Sequence, residues 1–129
     1  MKALLKTFVL ALLVTVSFIG GVVTSLTQGW GDSAVRIEIS NMSSEAIESF
    51  RVSYSTCGTT WKLEGQRLPP GRSETVRFTV CGEGGYVAEA VLPDGRVVKG
   101  TEVYVESGYK MTENVTNAGI VSGKSPYAL

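Results

Sequence analysis

Residues 34–54 read AVRIEISNMSSEAIESFRVSY. Val35, Ile37 and Ile39 alternate with Arg36, Glu38 and Ser40, and Phe50, Val52 and Tyr54 alternate with Arg51 and Ser53. A period of two places apolar side chains on one face of an extended chain and polar ones on the other, the pattern of a half-buried strand. The intervening Asn41–Glu45, NMSSE, is a turn. Ile47 is out of phase with Phe50, which predicts a bulge near Glu48 and Ser49.

The same rhythm continues toward the C-terminus. Thr60–Leu63 is a short candidate strand, and Leu68-Pro69-Pro70-Gly71 is a turn. Val76, Phe78 and Val80 form an apolar face, and Gly82-Glu83-Gly84-Gly85 reads as a flexible connection. Tyr86, Ala88, Ala90 and Leu92 alternate with Val87, Glu89 and Val91, so this strand is apolar on both faces and predicted central. Pro93-Asp94-Gly95 closes a hairpin, and 101–105 and 109–115 complete the set. No segment in this region has a capped helical stripe. The expected fold is all-β, a small antiparallel β-sandwich with immunoglobulin-like topology. That topology rests on strand number, because Trp61 follows Cys57 by only four positions, which is not the spacing of such domains.

Toward the N-terminus the pattern changes. Residues 7–28, TFVLALLVTVSFIGGVVTSLTQ, hold no charge. As a helix they rise about 33 Å, close to a hydrocarbon core of about 30 Å. Lys2 and Lys6 precede the stretch and Trp30 follows it. The expectation is one N-terminal transmembrane helix, an uncleaved single-pass signal-anchor, with residues 1–6 cytoplasmic and the β domain periplasmic or extracellular. The alternative is a cleaved signal peptide, with an apolar core over Phe8–Ile19 and a small-x-small site at Val23-Thr24-Ser25. The organisation is then 1–6, 7–28, a β domain over 34–116, and a mobile tail over 117–129.

Ser17, Gly21, Ser25 and Gly29 recur every fourth residue, beside Gly20 and Thr24. Small residues at this spacing let helix backbones approach closely in lipid. The predicted partners are therefore membrane lipid and another membrane protein reached through the helix.

Cys57 and Cys81 are the only cysteines. Beyond the cytoplasm they form a disulfide that closes a loop of about 25 residues and stabilises by about 3 kcal/mol.

The chain has 129 residues, 12 basic and 12 acidic, and no histidine. Without histidine there is no Ser-His-Asp triad and no common metal ligand or pH switch. Two of the basic residues, Lys2 and Lys6, precede the apolar stretch, so the remainder is slightly acidic and nucleic acid is not an expected partner. Gly123-Lys124-Ser125 resembles the end of a phosphate loop, but position 118 is Ala and Pro126 follows at once. Glu45 and Glu48 flank a strand start, and Glu102 and Glu106 would stand about 13 Å apart along one strand face, too wide for a glycosidase pair. All four read as solvated surface. Asn41-Met42-Ser43 and Asn114-Val115-Thr116 match the glycosylation sequon, best read as chance matches.

No catalytic residue, metal ligand or cofactor is expected. The reading is a non-enzymatic accessory subunit or interaction module of a membrane complex, with Trp61, Tyr86, Tyr104 and Tyr109 as candidate interface aromatics. The alternative is a secreted β-sandwich binding domain.

Overall fold

The computed structural model describes residues 2–28 and 33–124, the side chains of 2–5, 7–10, 25–28 and 124 excepted. The chain divides into two compact units, 1–32 and 33–129.

The first unit holds helix α1 (Lys2–Gln28). Thr15 and Thr24 donate their hydroxyls to the carbonyls of Ala11 and Gly20, at 2.9 and 2.8 Å. Among the described residues no helix is long and apolar enough to cross a membrane. This corrects the expectation of a transmembrane helix over 7–28. The single-pass anchor, the periplasmic or extracellular orientation, the lipid partner and the accessory role in a membrane complex fall with it. So does a membrane protein partner packed on Ser17, Gly21, Ser25 and Gly29. Ser17 and Gly21 are exposed on α1, whereas the Ser25 side chain and Gly29 lie outside the described residues.

The second unit is built of two sheets. One has the order β4 (Ser73–Thr79), β1 (Ala34–Asn41), β8 (Lys110–Val115), β9 (Ile120–Lys124). The other runs β3 (Thr59–Gly65), β2 (Ser49–Thr56), β5 (Glu83–Val91), with β6 (Val97–Lys99) and β7 (Val103–Glu106) both pairing β5. The central place of β5 is what its two apolar faces predict.

Two features overturn the antiparallel, immunoglobulin-like sandwich. The β1–β8 pair is parallel, matching Ile37 with Met111 and Ile39 with Glu113. The sheets are also not closed, since β3, β4, β6, β7 and β9 each leave an edge unpaired among the described strands. Alternation along a strand reports which face is buried but not the direction of its neighbour, so the parallel pair was invisible in the pattern.

The buried faces of both sheets contribute to one apolar cluster: Val35, Ile37 and Ile39 from β1, Phe50 and Val52 from β2, Phe78 from β4, Tyr86, Ala88 and Ala90 from β5. Tyr54 stacks on Phe78 with ring centroids 4.0 Å apart, and Phe78 meets Tyr86 edge-on at 6.5 Å.

Three local readings change. Gly82–Gly85 is no flexible connection, because β5 begins at Glu83. The expected bulge at Glu48–Ser49 is instead an isolated bridge from Ile47 to Leu68, just before β2. In the supposed tail, Thr116 makes a tight turn, accepting from the Gly119 N–H at 3.2 Å and donating to its carbonyl at 2.9 Å, so that 120–124 return as β9. Residues 125–129 lie outside the described residues.

Candidate functional site

At one end of the five-stranded sheet the β2–β3 hairpin turns on two residues, Cys57 and Gly58. Both have positive φ, 50° and 72°. A two-residue turn of this hand matches the twist of the flanking strands and favours Gly and Asn, so a cysteine here is unusual. Its sulfur explains the choice. Cys57 is bonded to Cys81, with Cα atoms 5.8 Å apart. Cys81 follows β4, so the bridge ties the five-stranded sheet to the four-stranded one. The Cys81 N–H donates to Thr56 Oγ1 at 2.8 Å.

Beside the bridge, Gly84 and Gly85 pave the start of β5. A Cβ on Gly84 would lie 2.6 Å from the Ser55 carbonyl oxygen, and one on Gly85 3.1 Å from Glu102 Oε1. At Gly84 only glycine lets the neighbouring backbone come this close, whereas at Gly85 a Cβ would need the exposed Glu102 carboxylate to shift by a few tenths of an ångström. The result is a wide, open concavity of ≈ 770 Å³, lined among others by Ser55, Thr56, both cysteines, Glu102 and Tyr104.

Tyr104 organises the rim. Its hydroxyl lies 3.0 Å from Glu83 Oε2 and 2.9 Å from Glu106 Oε1. One phenolic hydrogen serves both acceptors in turn. The bond to Glu106, and then that to Glu83, holds the exposed phenol well above its ordinary range. Ion pairs among the described residues lie elsewhere, as between Arg51 and both Glu64 and Glu89, Lys99 and Glu89, Arg67 and Glu48, and Arg96 and Asp94. Among the described residues no ion pair involves Glu83, Glu102 or Glu106. No group of three or more potential metal ligands is found among the described residues.

The four aromatics singled out in the sequence do not share a surface. Tyr86 is buried in the core. Trp61 is 55% exposed and stands opposite Tyr54, on the core-facing side of β3 but beyond the cover of the other sheet. Tyr104 stands opposite Gly85, on the reverse face of the sheet from Tyr86. Tyr109 is exposed and its N–H bonds to the Glu106 carbonyl. Of the predicted site residues, the structure brings together Cys57, Cys81 and Tyr104. Glu102 and Glu106 join them as partners of the Gly85 strand and of Tyr104. Glu83 was missed because it lay in an apparent glycine linker.

The sequons also resolve. Asn41 is fully buried. Its Nδ2 donates to the carbonyls of Glu45 and Leu68, both at 2.8 Å, and its Oδ1 accepts from the Ser43 N–H at 3.0 Å and hydroxyl at 2.6 Å. It fastens the NMSSE turn to the Leu68–Gly71 loop. Asn114 is half-buried within β8, paired with both β1 and β9.

No family model matches the chain, and no curated protein does. Among solved structures it is similar to a protein from Eubacterium rectale, at 12% identity and a TM-score of 0.51, covering 73% of this chain and 90% of that one. It also overlaps a Gram-negative toxin (10% identity, TM-score 0.42, 73% of this chain, 23% of that one) and listeriolysin O (6%, 0.39, 71% and 22%). The first is a likeness of fold alone. The toxin overlaps are looser still and bring nothing to the argument.

Proposed function

We propose that this chain is a secreted, non-enzymatic binding domain, its N-terminal apolar stretch serving as the export signal. The observation that carries the reading is the Cys57–Cys81 bridge. Such bonds form and persist in oxidising compartments, and this one sits on a two-residue turn that gives up its preferred Asn or Gly to hold it. The basic start at Lys2 and Lys6, the apolar core over Phe8–Ile19 and the small residues Val23-Thr24-Ser25 supply the parts an export signal needs.

Binding, rather than catalysis, fits the concavity beside the bridge. Tyr104 keeps its proton and shares it as a hydrogen bond with two carboxylates, and the chain has no histidine to act as a base. Carboxylates that join no ion pair among the described residues suit a ligand that offers hydrogen-bond donors, such as an amine or a hydroxyl-rich group. Intact mass and N-terminal sequencing of the protein made by an exporting host test the reading. The expected product begins near Leu26 and is lighter than its reduced form by two hydrogens. A chain that keeps its first residues inside the cell, with both thiols free, overturns it.

A further inference from the structure

Strand β3 has a free edge, and its sequence is complementary to itself. Thr56 and Thr59 flank the two-residue turn, and the register continues through Tyr54–Trp61, Val52–Leu63 and Phe50–Gly65. In such a hairpin the flanking pair exchanges both backbone bonds, and alternate pairs follow. Thr59, Trp61, Leu63 and Gly65 therefore spend their backbone groups on β2. Thr60, Lys62 and Glu64 direct theirs outward, to an edge that no described strand covers.

The geometry points to a second copy of this chain as the occupant of that edge, paired antiparallel about a two-fold axis at Leu63. In that register Lys62 of each copy stands opposite Glu64 of the other, twice over, on one face of the joined sheet. Leu63 meets Leu63 on the other face, and Trp61 meets Gly65, where the Phe50 ring lies. The exposed Trp61 gains cover on the side that its own molecule leaves bare. Registers one step away are worse. Centring on Lys62 sets lysine against lysine, and centring on Glu64 sets glutamate against glutamate, each unfavourable between directly opposed residues.

The other free edges lack this property. β4 (SETVRFT) centred on Val76 sets Thr75 against Arg77 and Glu74 against Phe78; β9 (IVSGK), β6 (VVK) and β7 (VYVE) hold no pair of opposite charges. A two-fold pairing of like edges also closes on itself, which a head-to-tail contact does not. The inference is independent of the export reading.

Charge exchange tests it. Sedimentation of the chain purified from an exporting host, from about 1 μM to about 1 mM, should show a monomer–dimer equilibrium. Lys62→Glu alone, or Glu64→Lys alone, should weaken association about tenfold or more, since two attractive pairs become repulsive. The double exchange K62E/E64K should restore it. Thermal melts confirm that each variant folds, which is expected because Lys62 and Glu64 are exposed, and Arg51→Ser, which removes the partner of Glu64 within one molecule, serves as the background in which the charge exchange is repeated. Lys62→Pro, which deletes an outward N–H and none used by β2, should also abolish the dimer. A monomer throughout the range, or a dimer indifferent to the single charge changes, overturns the proposal.

Discussion

Tyr86 on β5 donates its phenolic hydrogen to Glu113 Oε1 on β8, joining one sheet to the other through the middle of the core. Glu113 is almost wholly buried, and its second oxygen accepts from Ser122 on β9 at 2.8 Å. A carboxyl group in an apolar interior is costly unless its oxygens are satisfied, and here both are. Tyr86→Phe leaves Oε1 without its partner, so unfolding stability should fall by about 1–3 kcal/mol. Urea denaturation of both proteins at neutral pH measures the difference.

The same pair sets an alkaline limit. Burial, then the hydrogen bond to Glu113 and its charge, push the Tyr86 phenol above its ordinary value of 10.0. Above that pH the unfolded phenol loses its proton while the folded one keeps it. The folded state then binds more protons, and stability falls as pH rises. Below about pH 10 the group contributes no slope. Urea midpoints taken from about pH 9 to pH 11 should decline in the native protein and decline less in Tyr86→Phe.

Neither partner was singled out for this role in the sequence. The alternation of 86–92 placed Tyr86 on an apolar face, but no pattern tells an interface aromatic from a core one. Glu113 follows Met111 and precedes Val115 on the inward face of β8, where a charged residue reads as solvated surface. Strand faces, the central place of β5 and the cysteine pair were legible because they depend on local periodicity and on residue type. The parallel β1–β8 pair and the Glu83–Tyr104 contact were not, because each joins segments far apart in the chain, and the open edges follow only from which strands pair. The glycines at 84 and 85 misled for a physical reason. Glycine marks both flexible linkers and close backbone approach, and only the 2.6 Å gap to the Ser55 carbonyl tells them apart.

Asn41 should behave as a structural residue. Asn41→Ala leaves the Ser43 N–H without its partner and takes one of two donors from each of the carbonyls of Glu45 and Leu68, which keep the Ser43 hydroxyl and the Ile47 N–H, at a cost of about 1–3 kcal/mol. Asn41→Asp should be at least as damaging, because it turns an acceptor toward two carbonyls. In a host that glycosylates, intact mass should show no glycan on Asn41 of the folded protein, since both Nδ2 hydrogens are engaged.

The bridge should contribute about 3 kcal/mol, as expected for a loop of this length, the cysteines being 24 positions apart. Comparing urea midpoints with and without reductant gives the value. The turn adds a second effect. With Cys81→Ser as background, Cys57→Asn should be more stable than Cys57→Val, because Asn accepts positive φ and a β-branched residue resists it. Equal stability would show that the turn relaxes once the sulfur is gone.

Gly65 tests how tightly the edge strand is seated. The Phe50 ring fills the place where its Cβ would stand. Phe50 is buried and directly opposite Gly65 across the β2–β3 ladder, so a methyl group there must displace the ring or part the strands. Overpacking of this kind costs about 1–3 kcal/mol. Gly65→Ala should therefore destabilise, although alanine ordinarily favours order over glycine. Phe50→Leu alone should also destabilise, through the lost ring. Together the two should cost less than the sum of their separate effects, because the smaller side chain admits the methyl group. A double-mutant cycle in urea reads the coupling. Strict additivity would mean that Gly65 and Phe50 do not share this space in solution.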